Sequence, residues 1–148
     1  MNAYRASVDG ILPVTASWAT KLPETYQRIG ISRGPPRGQR GYRMYSPLAP
    51  GPWFRSLDAE EFRKRYLAQL DQIDPVKVLE HLAAMAKGRT PALLCFESST
   101  ETAWCHRGLV SAWFADTIGL HIIEYGHADA GWGWSHPMLG AEVRQPAG

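Results

Sequence analysis

Apolar and polar positions along this chain switch between a period of two and a period near 3.6, and the switching predicts an α/β domain. Val14 to Ala19 is short and largely apolar, the pattern of a strand. Tyr26 to Ser32 reads as a second strand. It runs into Arg33-Gly34-Pro35-Pro36-Arg37-Gly38, which neither a helix nor a central strand accommodates. The loop continues through Pro47, Pro50 and Pro52, and a loop of that length in a compact domain is usually functional. Asp58 with Glu61 then makes a capping-box-like helix start, and Phe62, Tyr66, Leu70 and Ile73 recur at helical spacing. Asp74-Pro75 ends that helix and begins another, with Asp as cap and Pro at the first position. Val76, Leu79, Leu82, Ala83 and Ala86 form its apolar stripe, and Gly88 closes it. Ala92 to Phe96 is a continuous apolar run, the mark of a strand buried on both faces. A polar turn from Glu97 to Thr102 leads into a third helix, Ala103 to Ile118, closed by Gly119. Leu120 to Tyr125 reads as a further strand. The tail from Gly126 to Gly148, rich in Gly, Trp and Pro, reads either as a wrapped arm or as partly disordered.

Strands alternating with helices imply right-handed β-α-β units and a mostly parallel sheet with flanking helices. The expected division is an arm over residues 1–13, a single α/β domain over 14–126 and a tail over 127–148. A chain of 148 residues, 45 % hydrophobic and 20 % charged, is long enough to bury a real core. Six Trp, six Tyr and four Phe argue against disorder of the whole. No segment approaches the ~20 apolar residues of a membrane span, and the run from Ile11 is broken by Pro13 and Thr15, unlike a signal peptide. The cytoplasm is therefore the expected location, with no membrane partner.

Charge adds a local feature to this frame. The net charge is only +2, yet no Asp or Glu occurs from Thr25 to Leu57. That stretch carries Arg28, Arg33, Arg37, Arg40, Arg43 and Arg55, interleaved with Tyr42, Tyr45, Trp53 and Phe54. Arginines and aromatics together suit phosphates and flat rings, hence nucleotides or single-stranded nucleic acid. The alternative is a solvated basic loop whose aromatics fold back on the core. Neither a G-x-G-x-x-G nor a Walker motif is present.

The second cluster is Cys95, Glu97, Cys105, His106 and Arg107. Strand alternation puts Cys95 and Glu97 on one face, Glu97 at the strand's end. In open α/β sheets ligands bind beyond that end. Cys105-His106-Arg107 falls at the start of the following helix, where unpaired N–H groups favour anions. Arg107 offers a planar fork to a phosphate or carboxylate. Glu97 suits a general acid or base, or a structural partner of Arg107. Cys95 fits a small core hydrophobe as well as a nucleophile, and His106 a buried hydrogen-bonded residue as well as a catalyst. Cys95, Cys105, His106 and Glu97 have zinc-like chemistry, but their spacing matches no C-x-x-C or H-E-x-x-H frame, so no metal and no cofactor are expected.

These residues carry a family resemblance. Ala16 to Lys21, Ile29 to Pro36, Leu48-Ala49-Pro50, Phe62 to Tyr66, and Leu93 to Glu97 with Cys105-His106-Arg107 resemble the bacterial and archaeal family known as domain of unknown function 488, in its compact form. The closing C-x-E…C-H-R pattern is the most specific part. The chain departs from that pattern in its longer turn between Glu97 and Cys105, in its arm and in its Trp-rich tail. The resemblance implies a compact α/β fold with polar residues gathered at one edge, and Arg33, Glu97, His106 and Arg107 as site residues beside Cys95 and Cys105. It brings no activity with it.

The expectation is a small enzyme acting on a phosphorylated or nucleotide-like compound. Glu97 and His106 would be catalytic, and Arg33, Arg37 and Arg107 would hold the anion, with Lys21, Tyr42, Cys95 and Cys105 nearby. The alternative is a non-catalytic module that binds nucleotide or nucleic acid. An enzyme converges its polar groups in a pocket, whereas a nucleic-acid binder spreads arginines along an open groove.

Overall fold

The computed structural model of the chain describes residues 12–35, 43–97 and 104–147. Four strands form one sheet: β1 (Val14–Ser17), β2 (Tyr26–Gly30), β3 (Arg43–Met44) and β4 (Thr90–Cys95). Their order is β1-β4-β2-β3 and every pairing is parallel. The fold is thus α/β with a parallel sheet and flanking helices, as the alternation of periods predicts. Ser17 is in register with Cys95, and Gly30 with Leu94. The three longer strands therefore end together, and their carboxyl ends make one edge.

Helices α1 (Ala59–Leu70), α2 (Pro75–Ala86) and α3 (His106–Ile118) carry the rest of the core. Their ends follow the local chemistry of the sequence. Asp58 accepts a hydrogen bond from the Glu61 amide, and Asp74 from the Val76 amide, each satisfying a first-turn donor. Gly119 takes the left-handed conformation that closes α3, with φ 71°. In β4, Leu93 joins Ile29, Phe62, Tyr66, Leu82 and Phe114 on the helical side, while Ala92 and Leu94 join Val14, Ala16 and Trp18 on the other. Both faces of β4 are buried, which is why its run is apolar throughout.

The structure departs from the sequence expectation at four points. β4 ends at Cys95, and Phe96 just beyond it is 53 % exposed. Leu120–Tyr125 is not a regular strand. It lies beside β1 through one parallel bridge, Thr15 to Glu124, with the Thr15 amide on the Ile123 carbonyl and the Tyr125 amide on the Thr15 carbonyl. β3 arises inside the arginine-rich loop, where two residues carry no readable period. The third helix begins at His106 rather than Ala103, and Cys105 is its N-cap. Residues 1–11, most of the expected arm over 1–13, lie outside the described residues. Among the described residues, no helix is long and apolar enough to cross a membrane.

Beyond Tyr125 the chain packs onto α3. The Gly133 amide donates to Ser111 Oγ at 2.8 Å, Trp134 Nε1 donates to Asp116 at 2.9 Å, and Met138 and Leu139 are buried. The Met138 carbonyl accepts from the Cys105 amide, so this segment also fixes the start of α3. Gly108 permits the close approach. A Cβ there would meet the Leu139 nitrogen and the Met138 carbonyl carbon at 2.9 Å. Gly108→Ala is therefore expected to cost about 1–3 kcal/mol by forcing backbone apart, read as a lowered denaturant midpoint. An unchanged midpoint would mean the segment yields without loss.

Candidate functional site

The common carboxyl edge of β1, β4 and β2 opens into a cleft of about 760 Å³. That volume lies within the ~300–1,000 Å³ typical of small-molecule sites. It lies where three segments leave the sheet. Ser32, Arg33, Gly34 and Pro35 follow β2, Phe96 and Glu97 follow β4, and Trp104, Cys105 and His106 lead into α3. Pro50, Phe54 and Arg55 of the long loop, with Phe62 of α1, close the remaining side. The wall is thus aromatic and cationic, with Glu97 as its carboxylate.

Hydrogen bonds position this edge. Trp18 Nε1 donates to Ser32 Oγ at 3.0 Å, and Ser32 Oγ donates onward to the Gly34 carbonyl at 2.7 Å. Together they pin the turn that carries Arg33. The Arg33 guanidinium is exposed and reaches the Pro50 carbonyl at 3.4 Å, spanning the cleft mouth. Arg55 lies over the Phe54 ring at 5.1 Å. Trp104 meets Phe62 edge to face at 4.9 Å, so the aromatic wall is itself packed.

His106 is buried at the inner end. Its Nε2 lies 2.7 Å from the Ile31 carbonyl, which can only accept, so Nε2 carries the proton. Nδ1 then faces Cys105 Sγ at 3.7 Å with its lone pair. Burial pushes the His106 pKa down to about 4. The Ile31 carbonyl opposes that shift and the Arg107 charge adds to it. A neutral imidazole follows. Cys95 and Cys105 stand beside it, their sulfurs joined.

Arg107 is not at the cleft. It is fully buried, and its Nε and Nη2 grip Glu124 at 2.9 and 2.8 Å in a two-point pair. Its Nη1 donates to Cys95 Sγ at 3.2 Å. The expected fork toward an anion is therefore turned inward, and its partner is Glu124 rather than Glu97. The reason is the fold: α3 lies against the segment beside β1, so the second residue of the helix faces the protein and not the edge. Glu124 also accepts from Thr15 Oγ1 at 2.8 Å. His136 Nδ1 accepts from the Met138 amide at 3.0 Å, so its Nε2 holds the proton and donates to Thr15 Oγ1 at 2.7 Å. His136 stands in this chain as a neutral imidazole. Burial first, then Arg107, Arg144 and His127, lower its pKa to about 3. The 3.7 Å approach of His136 to Glu124 is accordingly not an ion pair, because the imidazole is uncharged; the partner of that carboxylate is Arg107.

Of the residues expected at the site, Arg33, Glu97, His106, Cys95 and Cys105 come together at one cleft. Lys21 is exposed on the turn after β1 and is not part of the cleft wall. Arg37 and Tyr42 lie outside the described residues. Sequence reasoning placed Arg55 and Phe54 in a suggestive stretch without singling them out, and it passed over Trp104 and Glu124. The interleaving of Arg with aromatics was the signal for the first two. The others carried none, because their partners are distant in the chain. The sequence model described as the active DUF488-N3 subclade matches residues 14–117. No curated protein and no solved structure matches the chain.

Proposed function

The chain belongs to the domain of unknown function 488 family, and from that premise we propose that it is a small enzyme acting on a phosphorylated or nucleotide-like compound in the cleft at the carboxyl edge of its sheet. The observation that carries this reading is the make-up of the cleft wall: two arginines, four aromatic rings and one carboxylate around a single concave space. Arg33 and Arg55 would hold the phosphate, Arg33 with a planar fork that suits its oxygens. Phe54, Phe96 and Trp104 would receive a flat ring. Glu97 would act as general acid or base. His106 has one nitrogen committed to Ile31 and the other to Cys105, so its role is to position the cysteine side of the cleft rather than to touch the substrate. The description of the matching subclade as active agrees with a catalytic reading.

The rival, an open nucleic-acid groove, is less well supported. Arg28 and Arg43 line a separate surface with Arg89, away from the cleft residues, and Arg28 is tied to the carbonyls of Trp18 and Thr20. Calorimetric titration with nucleoside monophosphates, inorganic phosphate, bare nucleosides and a short single-stranded oligonucleotide tests the proposal. Binding of a phosphorylated small molecule is expected, weakened about tenfold by Arg33→Ala, the equivalent of about 1.4 kcal/mol. No binding of any phosphorylated small molecule by the folded protein, or the same affinity in the Arg33→Ala, Arg55→Ala double variant, would overturn it. Tight binding of the oligonucleotide alone would favour the rival.

A further inference from the structure

The three residues at the inner end of the cleft form a set that the substrate reading leaves unused. Cys95 Sγ, Cys105 Sγ and one ring nitrogen of His106 lie within 4.8 Å of one another, and all three residues are buried. They come from the last residue of β4, the N-cap of α3 and its first helical residue. We infer that, with its cysteines reduced, the chain holds one zinc-type divalent ion through Cys95, Cys105 and Nδ1 of His106.

Four observations point the same way. The hydrogen bond from His106 Nε2 to the Ile31 carbonyl fixes the tautomer and leaves Nδ1 as a lone-pair donor on the Cys105 side. Metal-binding imidazoles are held in this way by a carbonyl or carboxylate on the far nitrogen. Arg107 Nη1 donates to Cys95 Sγ at 3.2 Å, a contact that favours the thiolate. Its own charge is balanced by Glu124, so the donor set is not left facing a bare cation. The Cα atoms of the two cysteines stand 7.5 Å apart. That is wider than the ~4.4–6.8 Å that a disulfide usually spans, and it leaves room for an ion between two thiolates. Lastly, two sulfurs and an imidazole are soft donors that select zinc over magnesium or calcium.

Among the described residues, no fourth His, Cys, Asp or Glu completes the group. Three protein ligands with a position left for water or substrate is the pattern of catalytic zinc, whereas structural sites are closed by four. All three residues also line the cleft, where Glu97 stands two residues beyond Cys95. Zinc would lower the pKa of a bound water to about 7. The chemistry implied is hydrolysis of the phosphorylated compound held by Arg33 and Arg55: the oxygen of water bonds to phosphorus, the bond from phosphorus to the rest of the compound breaks, and the departing oxygen takes up the proton that the water gives up. This last step rests on the proposed function; the ion site does not. The joined sulfurs and the ion are mutually exclusive states. A dithiol reductant supplies two electrons and two protons to the pair and becomes a disulfide itself. Ion binding then releases both protons from the cysteines.

The test uses the full chain, made without a metal-binding tag and purified with a phosphine reductant. Elemental analysis is expected to find about one zinc per chain. Cobalt(II) added to the metal-free protein is expected to give the visible bands of a tetrahedral thiolate site. Oxidation of the thiols by diamide is expected to release the zinc to a colorimetric chelator. Cys105→Ser is expected to lose most of the zinc. Because that variant could fail to fold, the cobalt spectrum of the unaltered protein stands as an independent reading. Folded, reduced protein with neither zinc nor a cobalt spectrum overturns the inference. So does zinc retained in a folded Cys105→Ser variant, or a disulfide that survives the reductant. Nucleotide binding without zinc leaves the proposed function standing alone; zinc without nucleotide binding does the reverse.

Discussion

Arg107→Met is expected to destabilise the fold by about 3–5 kcal/mol, the usual cost of stranding one member of a buried ion pair. The motive is the two-point grip of Arg107 on Glu124, with side chains 0 % and 1 % exposed. Removing the guanidinium leaves Glu124 with Thr15 as its remaining hydrogen-bond donor among the described residues, and no opposite charge. The Glu124→Leu variant should lose a comparable amount, since Arg107 is then the unpaired charge. The double variant should recover part of the loss, because an apolar pair of similar volume removes the charge problem on both sides. Full recovery is not expected. Thr15 and His136 would still have lost the acceptor at the end of their chain. A double-mutant cycle from urea unfolding should give a coupling of at least about 1 kcal/mol. Single variants that each cost under about 0.5 kcal/mol, the range of ordinary surface changes, would show that the pair does not carry this load.

The second large effect is an acid limb in stability centred on His136. Its folded pKa of about 3 lies well below the ordinary value of 6.5. The group is therefore held neutral in the fold and takes up a proton on unfolding. The contribution is fully present above pH 6.5 and is lost as pH falls through that window toward 3. The loss over the window is on the order of 4 kcal/mol. The facing groups are Glu124, held by Arg107, the cations Arg107 and Arg144, and His127. Protonation would also oblige Nδ1 to give up the Met138 amide, which loosens the segment that fixes the start of α3. Chemical denaturation at stepped pH should show stability falling steadily below pH 6.5. His136→Gln, which keeps a donor and an acceptor but cannot titrate there, should make that slope shallower, leaving the smaller part that buried His106, with its pKa lowered to about 4, contributes over the same window. An equally steep slope in the variant would place the titration elsewhere.

These two effects arise where the sequence was least informative. Local signals were legible wherever both partners lay within a few residues. Asp58, Asp74 and Gly119 mark helix ends because a cap satisfies neighbouring backbone groups. The run from Ala92 marks a central strand because both faces need apolar side chains. The edge where strands end was legible for the same reason; Arg33 and Glu97 line the cleft there, whereas Arg107, expected to converge with them, does not. The partner of Arg107 was not. Glu124 sits in a stretch that reads as strand, and its other contacts, Thr15 and His136, bring together residues more than a hundred positions apart. Periodicity reports which way a residue faces, not what it meets. Leu120–Tyr125 failed as a strand on similar grounds. It has the right composition, yet it makes only isolated bridges, one to the short edge strand β1 at Thr15 and one to Trp132. The metal-like set was hidden by spacing. Cys95 and Cys105-His106 match no short motif, and only the return of α3 to the end of β4 brings them together.

The claim that the cleft is where this protein meets its ligand has one direct measurement: amide chemical shifts of the isotope-labelled protein during titration with a nucleoside monophosphate. The shifts are expected to move together at Arg33, Gly34, Phe54, Arg55, Phe96, Glu97 and Trp104, the residues of the cleft wall. Movement confined to Arg28, Arg43 and Arg89 on the other basic surface, with the cleft residues unmoved at saturation, would contradict the account.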